Sequence, residues 1–292
     1  MHKAGFVNII GNPNVGKSTL MNALLGEQLS ITTPKAQTTR HRIAGILNHD
    51  DYQVVFSDTP GIIQPAYAMQ EGMMEMVNTT FEDADIFILM AEPEKKELKD
   101  PSFLEKLKNM EVPLLVLINK IDQLDQQKLE ELVDFWQKRL PHSEIHPISA
   151  LHKFNTDRVL ERIIELLPES PPYYPKDELS DRNERFFVSE MIREAVLNNY
   201  EKEIPYAVEV DVEEFKEEEK IIRIRANIYV ERDTQKGIII GKAGKMIRKT
   251  GTEARKKMEE FFKKKIFIDL FVKVRKDWRK DENWLKRWGY RR

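Results

Sequence analysis

Short apolar runs alternate with charged, amphipathic stretches along the first half of this chain. Strands are expected near residues 5–10, 43–48, 52–57, 85–90, 113–118 and 144–148. Runs such as Val54-Val55-Phe56 and Leu114-Leu115-Val116-Leu117-Ile118 suit strands covered on both faces. The stretches 17–25, 101–110 and 126–140 read as helices between them. This alternation predicts an α/β domain with a mostly parallel sheet and a ligand site at the C-terminal ends of its strands.

The pattern changes further on. Residues 183–200 read as a helix with Phe187, Met191, Ala195 and Val196 on its apolar face. Residues 206–212 and 221–230 alternate apolar and polar side chains, as paired strands do, with the charged run 213–220 as their hairpin connection. Ile238-Ile239-Ile240 belong to a short helix, a longer helix runs to about residue 264, and a strand covers 266–274. Between the halves, residues 167–175 hold four prolines, and polar sequence continues to about Asp181, which predicts a stiff, extended linker. The expected division of the 292 residues is a first domain over 1–168, a linker over 169–182 and a second domain over 183–292.

Candidate chemistry sits where the strands end. Gly11-Asn12-Pro13-Asn14-Val15-Gly16-Lys17-Ser18, with Thr19 next, fits the pattern G-x-x-x-x-G-K-[ST] between a strand and a helix. Its backbone N–H groups and the following helix N-terminus suit phosphate oxygens. Lys17 would neutralise the β- and γ-phosphates, and the Ser18 hydroxyl would bind Mg²⁺. Asp58-Thr59-Pro60-Gly61 follows a buried strand, placing Asp58 to hold Mg²⁺ through water and the Gly61 N–H to meet a γ-phosphate. Asn119-Lys120-Ile121-Asp122 follows another. Guanine presents two donors on one edge, and the Asp122 carboxylate offers two coplanar acceptors, a match that adenine lacks. The Lys120 stem can cover the base, and Asn119 can tie the base site to the phosphate loop. Ser149-Ala150 adds backbone groups for the guanine oxygen. In Gln37-Thr38-Thr39-Arg40-His41 one threonine should reach Mg²⁺, with Thr39 favoured and Thr38 as the alternative. Residues 26–42 around them have little apolar periodicity, as a switch loop would. These motifs predict binding of GTP and GDP and hydrolysis of GTP.

In the second half, Gly241-Lys242-Ala243-Gly244, between Ile240 and Lys245, fits G-x-x-G, the loop with which KH domains clamp single-stranded RNA backbone. Lys242 and Lys245 supply charge, and Ile238, Ile239 and Ile240 are expected to line an apolar groove.

The string Lys35-Ala36-Gln37-Thr38-Thr39-Arg40-His41-Arg42, with the nucleotide motifs and the G-x-x-G segment, resembles the Era family among the translation-factor-related GTPases. The likeness covers essentially the whole chain. It implies a Ras-like P-loop GTPase domain followed by an α+β type II KH domain, with slow intrinsic hydrolysis. It further implies RNA binding near the 3′ end of 16S rRNA, a role in 30S subunit assembly, a monomer, and a cytoplasmic location with peripheral association at the inner face of the cell membrane. Ras-like sites carry a water-orienting glutamine after the third motif's glycine. Here Ile62 stands at that position, with Gln64 nearby. Some relatives bind K⁺ through an asparagine of the phosphate loop, the position of Asn14. K⁺ there would assist Lys17 and Thr39 in catalysis by adding positive charge, the alternative being that Asn14 only shapes the turn.

Charge sharpens the picture of the second half. The formal net charge is −2, yet residues from Arg232 onward carry 21 Lys and Arg against 8 Asp and Glu. Such asymmetry suits a polyanion partner, or a solvated basic face around Arg255, Lys256 and Lys257. Trp278, Trp284, Trp288 and Tyr290 either stack on bases or pack the tail onto its domain. With no cysteine, disulfides and thiolate metal sites are excluded. His142 and His146 flank a strand start and do not share a helix face, so no metal is expected there. No stretch has the length of a transmembrane helix, and no signal peptide is expected. Two rival readings stand beside the switch: an RNA-binding adaptor whose nucleotide site only stabilises the fold, and a GTPase whose basic tail binds membrane.

Overall fold

The structure, a computed structural model, describes residues 2–93 and 97–291. The chain forms two compact units, the first built mainly from residues up to Asp181 and the second from Arg182 onward.

The first unit contains strands β1 (Lys3–Gly11), β2 (Ile43–Asn48), β3 (Tyr52–Asp58), β4 (Ile86–Ala91), β5 (Leu114–Ile118) and β6 (Glu144–Pro147). They form one sheet in the order β2-β3-β1-β4-β5-β6, antiparallel only between β2 and β3. Every residue of β4 and β5 is buried, as a parallel sheet covered on both faces requires. Helices α1 (Lys17–Leu25), α2 (Ala68–Thr79), α3 (Ser102–Lys108), α4 (Gln126–Arg139) and α5 (Thr156–Leu166) complete the unit. Helix α4 starts where the Asp125 carboxylate accepts from the Lys128 N–H. The register pairs Ile9 with Asp58, Gly11 with Met90 and Ala91 with Ile118, so the loops after β1, β3 and β5 meet at one end of the sheet.

Residues 169–181, expected as a linker, lie hydrogen-bonded against this unit. Lys3 bridges Glu169, and Gly45 of β2 bridges Ser180, both antiparallel. Ile46 N–H donates to Leu179 O at 2.9 Å, and Ala44 N–H donates to the Asp181 carboxylate at 3.0 Å. Gln53 Oε1 accepts from both Tyr173 and Tyr174 N–H. Tyr174 also packs against Ala44, Ile46 and Val55. Proline limits the conformations of the segment, while free backbone groups on β2 give it a partner.

The second unit runs α6 (Glu184–Asn199), α7 (Ile204–Ala207), β7 (Glu209–Glu217), β8 (Ile221–Val230), α8 (Asp233–Ile240), α9 (Lys245–Phe262), β9 (Lys265–Val274) and α10 (Glu282–Arg287). Its sheet has the order β7-β8-β9, antiparallel then parallel. Two boundaries differ from the sequence reading. Strand β7 starts late because Pro205 opens the short α7 turn. It then runs through the charged stretch to Glu217, leaving only residues 218–220 for the turn. The exposed side chains of Glu213, Glu214, Lys216 and Glu217 keep their charges in water, so the backbone continues pairing. The tail aromatics pack onto the unit. Trp278 is fully buried, its Nε1–H donating to Ala207 O at 3.1 Å, and the Tyr290 hydroxyl donates to Glu209 at 2.5 Å. Trp284 and Trp288 lie against Tyr229, with ring centroids at 5.4 and 5.2 Å. On the basic helix α9, Arg255 pairs with Glu259 of the same helix and Lys257 with Glu194 of α6.

Candidate functional site

At the strand ends of the first unit lies an open pocket of about 800 Å³, lined among others by Lys17, Ser18, Thr39, Gly61, Lys120 and Leu151. The phosphate-loop motif holds one side of it. Gly16 takes a left-handed φ of 102°, and a Cβ there would stand 2.3 Å from the Asn119 side-chain nitrogen, so no other residue fits without displacing that amide. Lys17 is buried, and its Nζ donates to Gly11 O at 3.2 Å and Asn12 O at 3.0 Å. Burial lowers its pKa to about 8, against the opposing pull of Asp58 and Glu92.

The three expected metal ligands converge. Ser18 Oγ donates to Asp58 Oδ2 at 2.6 Å and lies 2.9 Å from Thr39 Oγ1, which itself donates to Asp58 Oδ2 at 3.2 Å. The neighbouring Thr38 hydroxyl turns away, donating to Lys35 O at 2.6 Å and meeting Thr33 at 2.7 Å. Burial raises the Asp58 pKa, while the Ser18 hydrogen bond and the Lys17 charge hold it down. Asp58 Oδ1 is buried with no partner at full hydrogen-bond geometry, and the Ser30 hydroxyl beside the carboxylate also favours its charged form. A buried carboxylate flanked by the Ser18 and Thr39 hydroxyls suits a hard cation such as Mg²⁺. Among the described residues no group of three or more His, Asp or Glu could hold a metal ion.

The remaining motif residues divide between contact and scaffold. Gly61 lies against the phosphate loop, where a Cβ would meet Pro13 Cα at 2.6 Å. The Thr59 hydroxyl is spent on Ile9 O at 2.7 Å, which anchors the turn that Pro60 continues. Ile62 is fully buried, its N–H donating to Gly11 O, so its side chain does not face the pocket. Asn14 adopts a left-handed φ of 67° and donates its amide to Pro34 O at 2.9 Å, tying the phosphate loop to residues 26–42.

At the base end, Asn119 clamps two loops. Its Nδ2 donates to Val15 O at 2.7 Å, and its Oδ1 accepts from Ala150 N–H at 2.9 Å. Asp122 receives the Ser149 hydroxyl at 2.6 Å, which lowers its pKa and keeps it a carboxylate. Sequence reasoning gave Ser149 only a backbone role. It also missed Glu92, whose buried carboxylate lies 2.6 Å from Lys120 Nζ. The available signal was an acid directly after the six apolar residues of β4. Asn22 was missed too: from α1 it bonds Leu29 N–H and Ser30 N–H and so folds the start of the switch-like loop back.

The glycine turn of the second unit lies between α8 and α9. Gly241 has φ 69° and Gly244 has φ 74°, and Ala243 is also left-handed. A Cβ on Gly241 would stand 2.6 Å from the Met246 side chain. Lys242 and Lys245 are exposed, and Arg248, missed from sequence, donates to Ala243 O at 2.6 Å. Of the three isoleucines, Ile239 is fully buried in the core and lines no groove, Ile240 is half-buried and Ile238 is exposed. The groove beside the turn lies between α9 and β9, about 330 Å³ in volume, and is lined by Ile247, Arg248, Gly251, Arg255, Ile266 and Phe267 among others.

Comparison with known proteins covers both units. Residues 6–120 match the family described as 50S ribosome-binding GTPase, and residues 203–279 match the KH domain family. GTPase Era of Thermoanaerobacter sp. (strain X514) is 44% identical over 292 residues, covering 99% of this chain and 97% of the relative. A crystal structure of Era in complex with MgGDPNP and nucleotides 1506–1542 of 16S ribosomal RNA superimposes with a TM-score of 0.95 at 35% identity, over 100% of both chains. A tyrosine-to-alanine variant of Aquifex aeolicus Era bound to GDP and AlF₄⁻ gives the same TM-score and identity, over 99% of this chain and 100% of that one.

Proposed function

Because the chain belongs to the Era family and is a GTPase with a KH domain, we propose that it is a guanine-nucleotide switch that binds single-stranded 16S rRNA near its 3′ end and assists assembly of the 30S subunit. The observation that carries the nucleotide half is the convergence of Ser18, Thr39 and Asp58 beside the pocket that Lys17, Gly61 and Lys120 line, with the Asp122 carboxylate held by Ser149 two residues beyond Lys120. In this reading the phosphate loop from Gly11 to Thr19 wraps the phosphates and Lys17 neutralises their charge. Asp122 selects guanine, Ala150 and Ser149 complete the base site, and Asn119 holds base site and phosphate loop at a fixed spacing. Ser18 and Thr39 would hold Mg²⁺ directly and Asp58 through water, and the ion would offset phosphate charge. Gly61 reports the γ-phosphate by the approach its missing side chain allows. With Ile62 buried, water activation falls to charge placed beside the phosphates. The Asn14 amide nitrogen serves Pro34, which leaves its carbonyl oxygen to coordinate K⁺. The Gly241-Lys242-Ala243-Gly244 turn, with Ile240 and Lys245, would clamp RNA backbone.

Ordering of Thr39 by GTP would change the loop that leads into β2, and β2 carries residues 178–181 on its edge. This supports coupling between nucleotide state and RNA binding. Cytoplasmic location with peripheral contact to the inner membrane face belongs to the same proposal. Among the described residues no helix is long and apolar enough to cross a membrane. The test is GTP turnover in K⁺ buffer with and without a short RNA from the 3′ end of 16S rRNA. Stimulation supports a coupled switch. Tight RNA binding with unchanged turnover for the RNA-free and RNA-bound protein counts against coupling within the chain. Absence of turnover, unaffected by Lys17→Ala, would favour the adaptor reading.

A further inference from the structure

We propose that Glu92 is a positioning residue that fixes Lys120 over the base site and thereby sets how long guanine nucleotide stays bound. The inference rests on the reading of Lys120 as the residue that covers the base. Glu92 directly follows β4, and the pairing of Ala91 with Ile118 brings it beside the loop that starts at Asn119. Asn119 N–H donates to Ala91 O at 2.9 Å, so the backbone locks the two loops together at that point. Lys120 then takes φ 64° and ψ 34°, a left-handed conformation that a long side chain rarely adopts. The conformation persists only if its surroundings hold it. Its ammonium lies 2.6 Å from Glu92 Oε2, and the Glu92 side chain is only 5% exposed against 31% for Lys120. The carboxylate is thus the fixed partner and the lysine the one that is held.

Both residues line the nucleotide pocket. With its head tethered on the β4 side, the Lys120 stem spans the pocket wall where a base would lie, and base release must move it. A second role for the same carboxylate predicts the opposite sign. Glu92 also faces Lys17 electrostatically, so as a bare negative charge near the phosphates it would weaken nucleotide binding. Removing the charge would then slow release.

The experiment is displacement of fluorescent GDP from the full chain, comparing wild type, Glu92→Gln, Lys120→Met and the double variant. Glutamine keeps the volume of Glu92, and methionine keeps the apolar stem of Lys120 without its charge. Release from Glu92→Gln should be faster by about tenfold, the low end of the range for a hydrogen bond to a charged group, because glutamine keeps an acceptor oxygen but loses the charge and Lys120 is partly exposed. The double variant should release no faster than the faster single variant, because both break one contact. A purely structural role would lower thermal stability and give additive effects in this cycle. Unchanged or slower release from Glu92→Gln, or additivity, overturns the inference. Faster release from Lys120→Met with none from Glu92→Gln would sink the role of Glu92 and leave the base-site reading standing. An unaffected Lys120→Met would remove both.

Discussion

Asn119 offers the sharpest test of how the pocket is built, because one side chain bonds two loops that the proposed nucleotide site would use together. It is only 4% exposed, donating to Val15 O at 2.7 Å and accepting from Ala150 N–H at 2.9 Å. Asn119→Ala leaves both backbone groups unpaired in a buried place. Each such loss costs roughly 1–3 kcal/mol, less where water can enter from the pocket. Since both groups belong to loops that would contact ligand, about 2 kcal/mol should appear in nucleotide affinity, near a 30-fold loss for GDP. The rest should appear as a lower urea midpoint of the nucleotide-free protein. Asn119→Asp separates the two bonds. It keeps an acceptor for Ala150 N–H but sets an oxygen against Val15 O, so it should be at least as harmful as alanine. Fluorescent GDP titration and urea unfolding of both variants measure this. Affinities within twofold of wild type for either variant would show that the loops are held apart from Asn119 and refute the reasoning.

Asp122→Asn should shift preference from guanine toward xanthine nucleotides, because the amide exchanges an acceptor for a donor; competition between GDP and XDP reads it, and unchanged preference counts against the assigned role. Gly244→Asp should weaken binding of single-stranded RNA and spare GTP binding. A Cβ there meets only Arg248 at 3.7 Å, and aspartate tolerates left-handed φ, so the fold should survive; loss of both activities would indicate misfolding. Turnover should be higher in K⁺ than in matched Na⁺ buffer, with the difference lost in Asn14→Ala, and equal rates would rule out the Asn14 proposal. Burial lowers the Lys17 pKa to about 8 from 10.5. The unfolded chain therefore binds more protons between those values, and the nucleotide-free protein should gain stability as pH rises from about 8 toward 10.5, by up to about 3 kcal/mol. Lys17→Met should flatten that slope in urea titrations at several pH values, and an unchanged slope would assign it to other groups.

The nucleotide-site motifs were legible in the sequence because chemistry restricts the residue type at each place. A loop proposed to curl around phosphate requires glycine where Gly16 meets Asn119, and the proposed reading of guanine's two donors calls for a carboxylate such as Asp122. The strands β4 and β5 were legible because burial on both faces demands unbroken apolar runs. Helix α2 was not marked, since its buried Met69, Met73, Met74 and Val77 are interrupted by Gly72 and flanked by a proline-containing loop. The continuation of β7 to Glu217 was hidden because charged residues suit a solvated turn and an exposed strand equally. Glu92 was invisible for a different reason: its role depends on which strand lies beside β4, and pairing between distant strands leaves no local pattern. Sequence favours Thr39 but leaves Thr38 as an alternative, since two adjacent hydroxyls differ only in the direction the backbone gives them.

The hydrogen bonds between β2 and residues 178–181 decide where this protein can be cut. Strand β2 is the outer strand of its sheet, and its Ala44 and Ile46 N–H groups are answered by Asp181 and Leu179. A truncation after residue 168, where the prolines begin, would leave those donors and the apolar surface under Tyr174 uncovered. Such an edge is an adhesive template for other chains. An isolated nucleotide-binding fragment ending at Asp181 keeps its border closed and should stay dispersed at concentrations where the shorter fragment self-associates.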